Sequence, residues 1–244
     1  LAVKAAKAAG YYSAGTVEFL RGDVGSYYFL EVNARLQVEH PVTEMVTGVD
    51  LVCAMIEIAA GGTLAYTQDD IVVRGHAIEA RIIAEDPSRN FMPSPGTVRG
   101  RRAPMGPGVR YDGCTYPGYT VPVFYDPLIA KLITHGADRD QAIARMRRAL
   151  DEYRLDGVKT SVPFHRRLVD HPAFQAAELH TGFLQEHPEL LDPGTDPWLA
   201  EIALVAVAVA HFRQTEQASA KAMEARRSGA GGSAWKRSAG GWRR

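Results

Sequence analysis

Only two cysteines, Cys53 and Cys114, occur in the 244 residues. They form neither a CxxC nor a Cys/His spacing, so no disulfide framework or zinc site is indicated, and a reducing cytoplasmic compartment is the expectation. Long apolar runs are missing as well. The longest, Ile202–Ala210, has nine residues, against about 20 for a membrane-spanning helix, so no membrane role is expected. Neither sign of charge is in excess, with 28 Lys+Arg against 28 Asp+Glu. A global field that would recruit nucleic acid is thereby excluded, and only the stretch from Arg226 onward carries basic charges alone. No glycine-rich phosphate loop occurs, because Gly229, Gly231 and Gly232 precede no strand or helix pattern. The first residue is Leu and no cleavable signal follows, which suggests a sequence that begins inside a domain.

What is present reads as an ordinary globular chain of one large or two small domains, 46% hydrophobic and 23% charged. An alanine-rich helix opens the chain and ends at Gly10. Thr16–Arg21 and Ser26–Val32 have strand composition and flank a Gly-Asp-Val-Gly turn, predicting a hairpin. Asp50 is placed to cap a helix that carries Leu51, Ala54, Met55 and Ile58 on one face and stops at Gly61-Gly62. From Ile71 to Ile133, β-rich runs alternate with SPG, MGPG and TYPG turns, predicting a mixed, largely antiparallel sheet. Asp138 and Gln141 form a capping-box pattern for a helix through about Tyr153, with Ile143, Met146, Arg147 and Leu150 in helical period. A further helix runs from near Thr160 to Val169, before Asp170-His171-Pro172 breaks it. Pro188–Pro197 reads as a linker to an Ala/Val-rich helix and a low-complexity basic ending.

The segment Tyr28–Glu44, YFLEVNARLQVEHPVTE, concentrates the chemistry. Read at strand period, Glu31, Asn33, Arg35, Gln37 and Glu39 fall on one face, and Val32, Ala34, Leu36 and Val38 on the other. A hairpin closing symmetrically about Asp23-Val24 sets Glu18 opposite Phe29 and diagonal to Glu31, so that two carboxylates converge. With the Asn33 amide they suit a hard cation such as Mg²⁺, held together with substrate phosphates. A solvated sheet face is the alternative for the same alternation. Arg35 suits a carboxylate-like or phosphate-like anion, bicarbonate among them, and Glu39 is placed to act as a base. His40 falls on the apolar parity and reads as structural, with Pro41 ending the strand.

The strings GTVEFL, EVNARLQVEHPVTEMVTGVDLV, RGHAIEARIIAEDP, FMPSPGTV, GYTVPVFYDPLIAKLITHGADRDQAIARM and LDGVKTSVPFH resemble the carboxyl-terminal half of biotin carboxylase over roughly residues 1–190. The implied fold is α+β: the carboxyl-terminal part of an ATP-grasp fold (1–62), then the mixed-sheet biotin carboxylase C-terminal domain (63–190). A helical extension and a basic, disordered tail follow (191–244). The resemblance implies that Glu18 and Glu31, with Asn33 beside them, hold the Mg²⁺ or Mn²⁺ that bridges the ATP phosphates, and that Leu20 lines the adenine pocket. It further implies that Arg35, Gln37 and the Val38 backbone hold bicarbonate, that Glu39 is the base, and that Arg81 stabilises the enolate of the biotin ureido ring. An always-charged guanidinium suits that last task. Glu79, on the Arg81 strand face, either orients Arg81 or forms a plain surface ion pair with it.

The implied reaction is ATP-dependent carboxylation of biotin through carboxyphosphate, the first half-reaction of an acyl-CoA carboxylase. Its implied partners are a biotin carboxyl carrier domain or protein, a carboxyltransferase and a second copy in a homodimer. No Met-Lys-Met biotinylation motif occurs, so biotin is expected to arrive from elsewhere. The family's glycine-rich lid and ATP-contacting lysines have no counterpart in this sequence, which is expected to hold half an active site. A non-catalytic dimerisation or partner-binding module that retains the fold is the second reading. The ending SAWKRSAGGWRR is similar to short extensions of larger acyl-CoA carboxylase α chains.

Overall fold

The computed structural model describes residues 1–22, 25–122, 124–191 and 197–229. The chain divides into two compact units, Leu1–Pro193 and Gly194–Arg244. In the first, helix α1 (Ala2–Ala8) is the alanine-rich opening, and Gly10 follows it with φ +62°, a left-handed conformation that glycine adopts freely. Strands β1 (Thr16–Arg21) and β2 (Tyr27–Asn33) pair antiparallel as a hairpin whose turn residues, Asp23 and Val24, lie outside the described residues.

The hairpin register differs from the symmetric one. Phe19 faces Phe29, and its ring meets those of Phe29 and Tyr27 edge-on at 6.1 and 6.5 Å. This aromatic cluster fixes the pairing on the turn side. A bulge at Leu30 then takes up one residue of β2, so Glu18 faces Glu31 directly rather than diagonally. A second departure concerns length. β2 ends at Asn33, opposite Thr16, the first residue of β1. With no partner strand beyond that point, residues 34–39 turn instead of extending, and the five-residue polar strand face does not form. Pro41 starts a helix rather than ending a strand: α2 (His40–Thr47) has it in the first turn, where a missing N–H costs nothing.

Helix α3 (Leu51–Ala59) is capped as expected, Asp50 Oδ1 accepting the Cys53 N–H at 2.8 Å. Strands β3 (His76–Ile83), β4 (Val109–Gly113) and β5 (Leu128–Gly136) form a sheet in the order β3-β5-β4. Two-residue and three-residue ladders surround it, and every pair among the described residues is antiparallel. Helix α4 (Arg139–Glu152) starts at Asp138, whose carboxylate accepts the Gln141 N–H at 2.8 Å. The Gln141 side chain reaches Ala137 N, one residue before the cap, rather than closing a strict box. Arg147, expected on the inward face of α4, is exposed and pairs with Asp170. Helix α5 (Val162–Asp170) follows.

Directly paired residues share a sheet face, so the pairings Leu132 with Ala80 and Tyr111 define one face, and Lys131 with Arg81 and Asp112 define the other. The first face is the core. Ile82 and Leu132 are fully buried there in one cluster with Met146, Ala149 and Leu150 of α4, each large side chain contributing about 1.5–3 kcal/mol. The second face carries Glu79, Arg81, Lys131, Ile133, Arg110 and Asp112, and α2 packs against its strands. A polar layer thus lies where α2 and the preceding turn meet the sheet.

In the second unit, helix α6 (Pro197–Gly229) is the expected Ala/Val-rich helix, while residues 192–196 of the linker and 230–244 of the basic ending lie outside the described residues. No described helix is long and apolar enough to cross a membrane.

Candidate active site

The bulge at Leu30 brings two carboxylates face to face. Asn33 Nδ2 donates to Glu18 Oε1 at 2.9 Å and to Glu31 Oε1 at 3.0 Å, drawing both onto one amide. Like charges directly opposite on paired strands repel, and neither glutamate is in a salt bridge among the described residues. Two converging carboxylates with no protein cation, beside an amide oxygen, form a donor set that fits a hard divalent ion. Leu20, two residues further along β1, is 61% exposed, with Tyr28 opposite it.

Arg35 and Gln37 meet in the turn between β2 and α2, without sharing a strand face with Glu31. Arg35 Nη1 donates to Gln37 Oε1 at 3.0 Å and to Leu36 O at 3.3 Å, while Nη2 reaches Asn33 Oδ1 at 3.4 Å. The anion-binding candidates therefore contact the metal-binding candidates through Asn33. Val38 presents its carbonyl to Lys131 Nζ at 3.2 Å. His40 Nδ1 lies 2.9 Å from Gln37 O, a contact that pins the turn.

Glu39 occupies the N-cap position of α2 but makes no side-chain cap bond. Its carboxylate accepts instead from Arg81 Nη2 at 2.6 Å, an ion pair across 42 positions of sequence in which the two side chains are 54% and 48% exposed. Expected base and expected enolate-stabilising arginine are thus brought into contact. Arg81 does not form the surface ion pair with Glu79 that was one of the two expectations for that residue: the two Glu79 oxygens are enclosed and have no hydrogen-bond partner. Burial pushes the Glu79 carboxyl from 4.5 up to about 7, against the pull of Lys131 and Arg81.

Below this pair, Arg110 grips Asp112 through Nε and Nη2 at 2.9 and 2.8 Å and Glu44 through Nη1 at 2.6 Å. Glu44 Oε1 also accepts the Leu51 N–H at 2.8 Å, which links α2, α3 and the sheet. Burial raises the Asp112 carboxyl, but the bonded Arg110 and the nearby Lys131 outweigh it and hold the group below the usual range. The Arg81 backbone is clamped from α5 as well. Its carbonyl accepts from Ser161 Oγ at 3.0 Å and lies 2.9 Å from His165 Nε2.

The sequence reading missed Lys131, Arg110, Asp112, Glu44 and Ser161. Lys131 alone left a signal, as the charged residue within the apolar run LIAKLI; the others are recognised only once the strands pair. A separate cluster joins His171 Nε2 and His187 Nδ1 to one Glu189 oxygen at 3.4 and 3.2 Å. The shared carboxylate accounts for both imidazoles, and buried His171 Nδ1 lacks the partner that orients a metal-bound histidine.

Comparison with known proteins places these elements. Residues 79–186 match the biotin carboxylase C-terminal domain, and residues 1–67 match the ATP-binding domain of the carbamoyl-phosphate synthase L chain. Biotin carboxylase 1 of Bacillus subtilis is 54% identical over 187 residues, covering 76% of this chain and 42% of the relative. A pyruvate carboxylase subunit of Methanothermobacter thermautotrophicus is 54% identical over 191 residues, covering 78% and 39%. Among solved structures, the biotin carboxylase domain of the Hydrogenobacter thermophilus 2-oxoglutarate carboxylase, in complex with MgADP, ADP and bicarbonate, superposes with a TM-score of 0.76 at 47% identity. That match covers 80% of this chain and 43% of the other. The chain, which spans about two fifths of the length of these relatives, belongs to the biotin carboxylase family.

Proposed function

We propose that this chain supplies the metal, bicarbonate and base residues of an enzyme that carboxylates biotin with ATP and bicarbonate. The observation that carries the reading is the Glu39–Arg81 contact at 2.6 Å. It joins a base on the turn after β2 to a permanent cation on β3, next to the turn that holds Arg35 and Gln37. In this reading Glu18 and Glu31, flanked by Asn33, hold Mg²⁺ or Mn²⁺, which when bound neutralises the ATP phosphates. Arg35 and Gln37 exchange their mutual bond for the bicarbonate oxygens, with the Val38 backbone beside them. Glu39 accepts the bicarbonate proton, and the bicarbonate oxygen then attacks the ATP γ-phosphorus, giving carboxyphosphate and ADP. Carboxyphosphate releases CO₂ close to biotin. The phosphate released with the CO₂ takes the ureido N–H proton, Arg81, freed from Glu39, stabilises the resulting enolate oxygen, and the ureido nitrogen forms the new bond to CO₂. Leu20 contributes to the adenine pocket.

The biotin arrives on a carrier domain or protein, and a carboxyltransferase takes the carboxyl group on to an acyl-CoA. The likeness of the SAWKRSAGGWRR ending to acyl-CoA carboxylase extensions supports that acceptor. Pyruvate is the competing acceptor, favoured by the name of the Methanothermobacter relative. A homodimer in the cytoplasm completes the proposal. The test is ADP release, with Mg²⁺ and free biotin, from this chain alone and from this chain fused behind the amino-terminal segment of the B. subtilis relative. Bicarbonate-dependent release from the fusion supports the reading. A folded fusion without it refutes the reading and favours a partner-binding module.

A further inference from the structure

If Arg81 is to meet the biotin enolate, it must leave the Glu39 oxygen Oε2 that its Nη2 holds at 2.6 Å. Arg81 therefore has to change partners. One other carboxyl shares its strand face: Glu79 lies two residues earlier on β3, about 7 Å away along the strand, within reach of an arginine side chain. Both Glu79 oxygens are enclosed without a hydrogen-bond partner, a costly arrangement for a carboxyl with no role.

The charges facing Glu79 show why it is left over. Arg81 comes from its own strand, Lys131 from β5, Asp112 from β4 and Glu39 from the entry to α2; Arg110 shares the sheet face, and His40 and Glu44 lie on α2, which packs against β3. Among the arginines and lysine, Arg110 is taken by Glu44 and Asp112, Lys131 by Asp112 at 3.7 Å and the Val38 carbonyl, and Arg81 by Glu39. Three such cations thus serve Glu39, Glu44 and Asp112, and Glu79 is the carboxyl without one.

We propose that Glu79 is a positioning residue that receives the Arg81 guanidinium when it leaves Glu39. A protonated Glu79 leaves Arg81 on Glu39. An ionised Glu79, its proton lost to the buffer, competes for it. The part played in turnover rests on the proposed function, whereas the exchange of partners is a property of the folded chain.

The test is a ¹³C NMR titration of the glutamate side-chain carboxyls in the full chain, with the Glu79 resonance identified by its loss in Glu79→Gln. In the native chain the midpoint is expected near 7. In Glu39→Gln, Arg81 turns to Glu79, and the midpoint falls to the ordinary range of about 4.3. In Glu39→Gln/Arg81→Gln the midpoint stays near 7, and Glu44→Gln, which leaves Arg81 paired, keeps it there too. A fall in the double variant equal to that in Glu39→Gln overturns the proposal, because simple removal of charge would then explain it. So does a native midpoint in the ordinary range. Should Glu79→Gln not fold, selective labelling identifies the resonance, and the Glu39→Gln comparison still decides. In the active fusion, Glu79→Gln lowers kcat by about 100-fold at an unchanged KM for bicarbonate, with partial recovery in Glu79→Asp. An unchanged kcat overturns the role in turnover. The titration needs no catalysis, so an inactive fusion would refute the proposed function and leave the partner exchange standing.

Discussion

Replacing Arg110 by methionine keeps much of the side-chain volume and removes the charge that joins α2 to the sheet. Two carboxylates lose their partner: Glu44, whose side chain is only 9% exposed, and Asp112, held by two parallel bonds at 2.8 and 2.9 Å. Stranding a fully buried charge costs about 3–5 kcal/mol. Because the Arg110 side chain is 31% exposed, water screens part of the loss, and Lys131 still serves Asp112, so the expected cost is about 2–3 kcal/mol. Urea unfolding reads it directly. With a slope of about 2 kcal/mol per molar, the midpoint moves down by roughly 1–1.5 M. Arg147→Met is the internal comparison, because the Arg147–Asp170 pair is 44% and 57% exposed and such pairs contribute about 1 kcal/mol or less. Adding Glu44→Gln to Arg110→Met recovers part of the loss, since no charge is then left without a partner, and the amide oxygen still accepts the Leu51 N–H. Equal midpoints for Arg110→Met and Arg147→Met would refute the claim that the polar layer fastens α2 to the sheet.

Leu132→Ala empties a fully buried position in the core and is expected to lower stability by about 2–5 kcal/mol, read in the same urea assay. Ser161→Ala deprives the Arg81 carbonyl of a donor and the Ile83 N–H of an acceptor; a loss of about 1–3 kcal/mol is expected, and a neutral result would show that the clamp from α5 is dispensable. The raised Glu79 carboxyl makes the native state hold a proton more tightly than the unfolded chain does. Its contribution is therefore fully present below about 4.5 and lost as pH rises through about 7. Glu79→Gln should flatten the pH dependence of Tm across that window, and an unaltered profile contradicts the assignment. In the fusion, Glu31→Gln should raise the Mg²⁺ concentration needed for half-maximal ADP release, whereas Arg35→Gln should raise the bicarbonate requirement; interchanged effects would refute this division of roles.

Local structure was legible wherever a few neighbouring residues decide it. Asp50 and Asp138 announce their helices because a short acidic side chain before an amphipathic run has one strong use, accepting the first free N–H groups. The strands of the hairpin were readable from composition, but their register was not. The bulge at Leu30 depends on how Phe19, Phe29 and Tyr27 pack across the strands, and alternation carries no record of that. The same blindness extended β2 through Glu39. Alternation continues in the sequence past Asn33, yet a strand needs a partner, and β1 begins opposite Asn33. The candidate site was legible through its family strings, while the ion pair between Glu39 and Arg81 and the layer formed by Lys131, Arg110, Asp112 and Glu44 depend on strands far apart in sequence. No window of neighbouring residues contains them.

The central claim is that Glu39 and Arg81 act together on bicarbonate and biotin. Transfer of label from ¹³C-bicarbonate to free biotin by the fusion, with Mg²⁺ and ATP, tests it most directly. Labelled carboxybiotin is expected from the native fusion, none from Glu39→Gln, and none from Arg81→Lys, with nucleotide binding retained in both variants. Labelled product from Glu39→Gln at the native rate would contradict the claim.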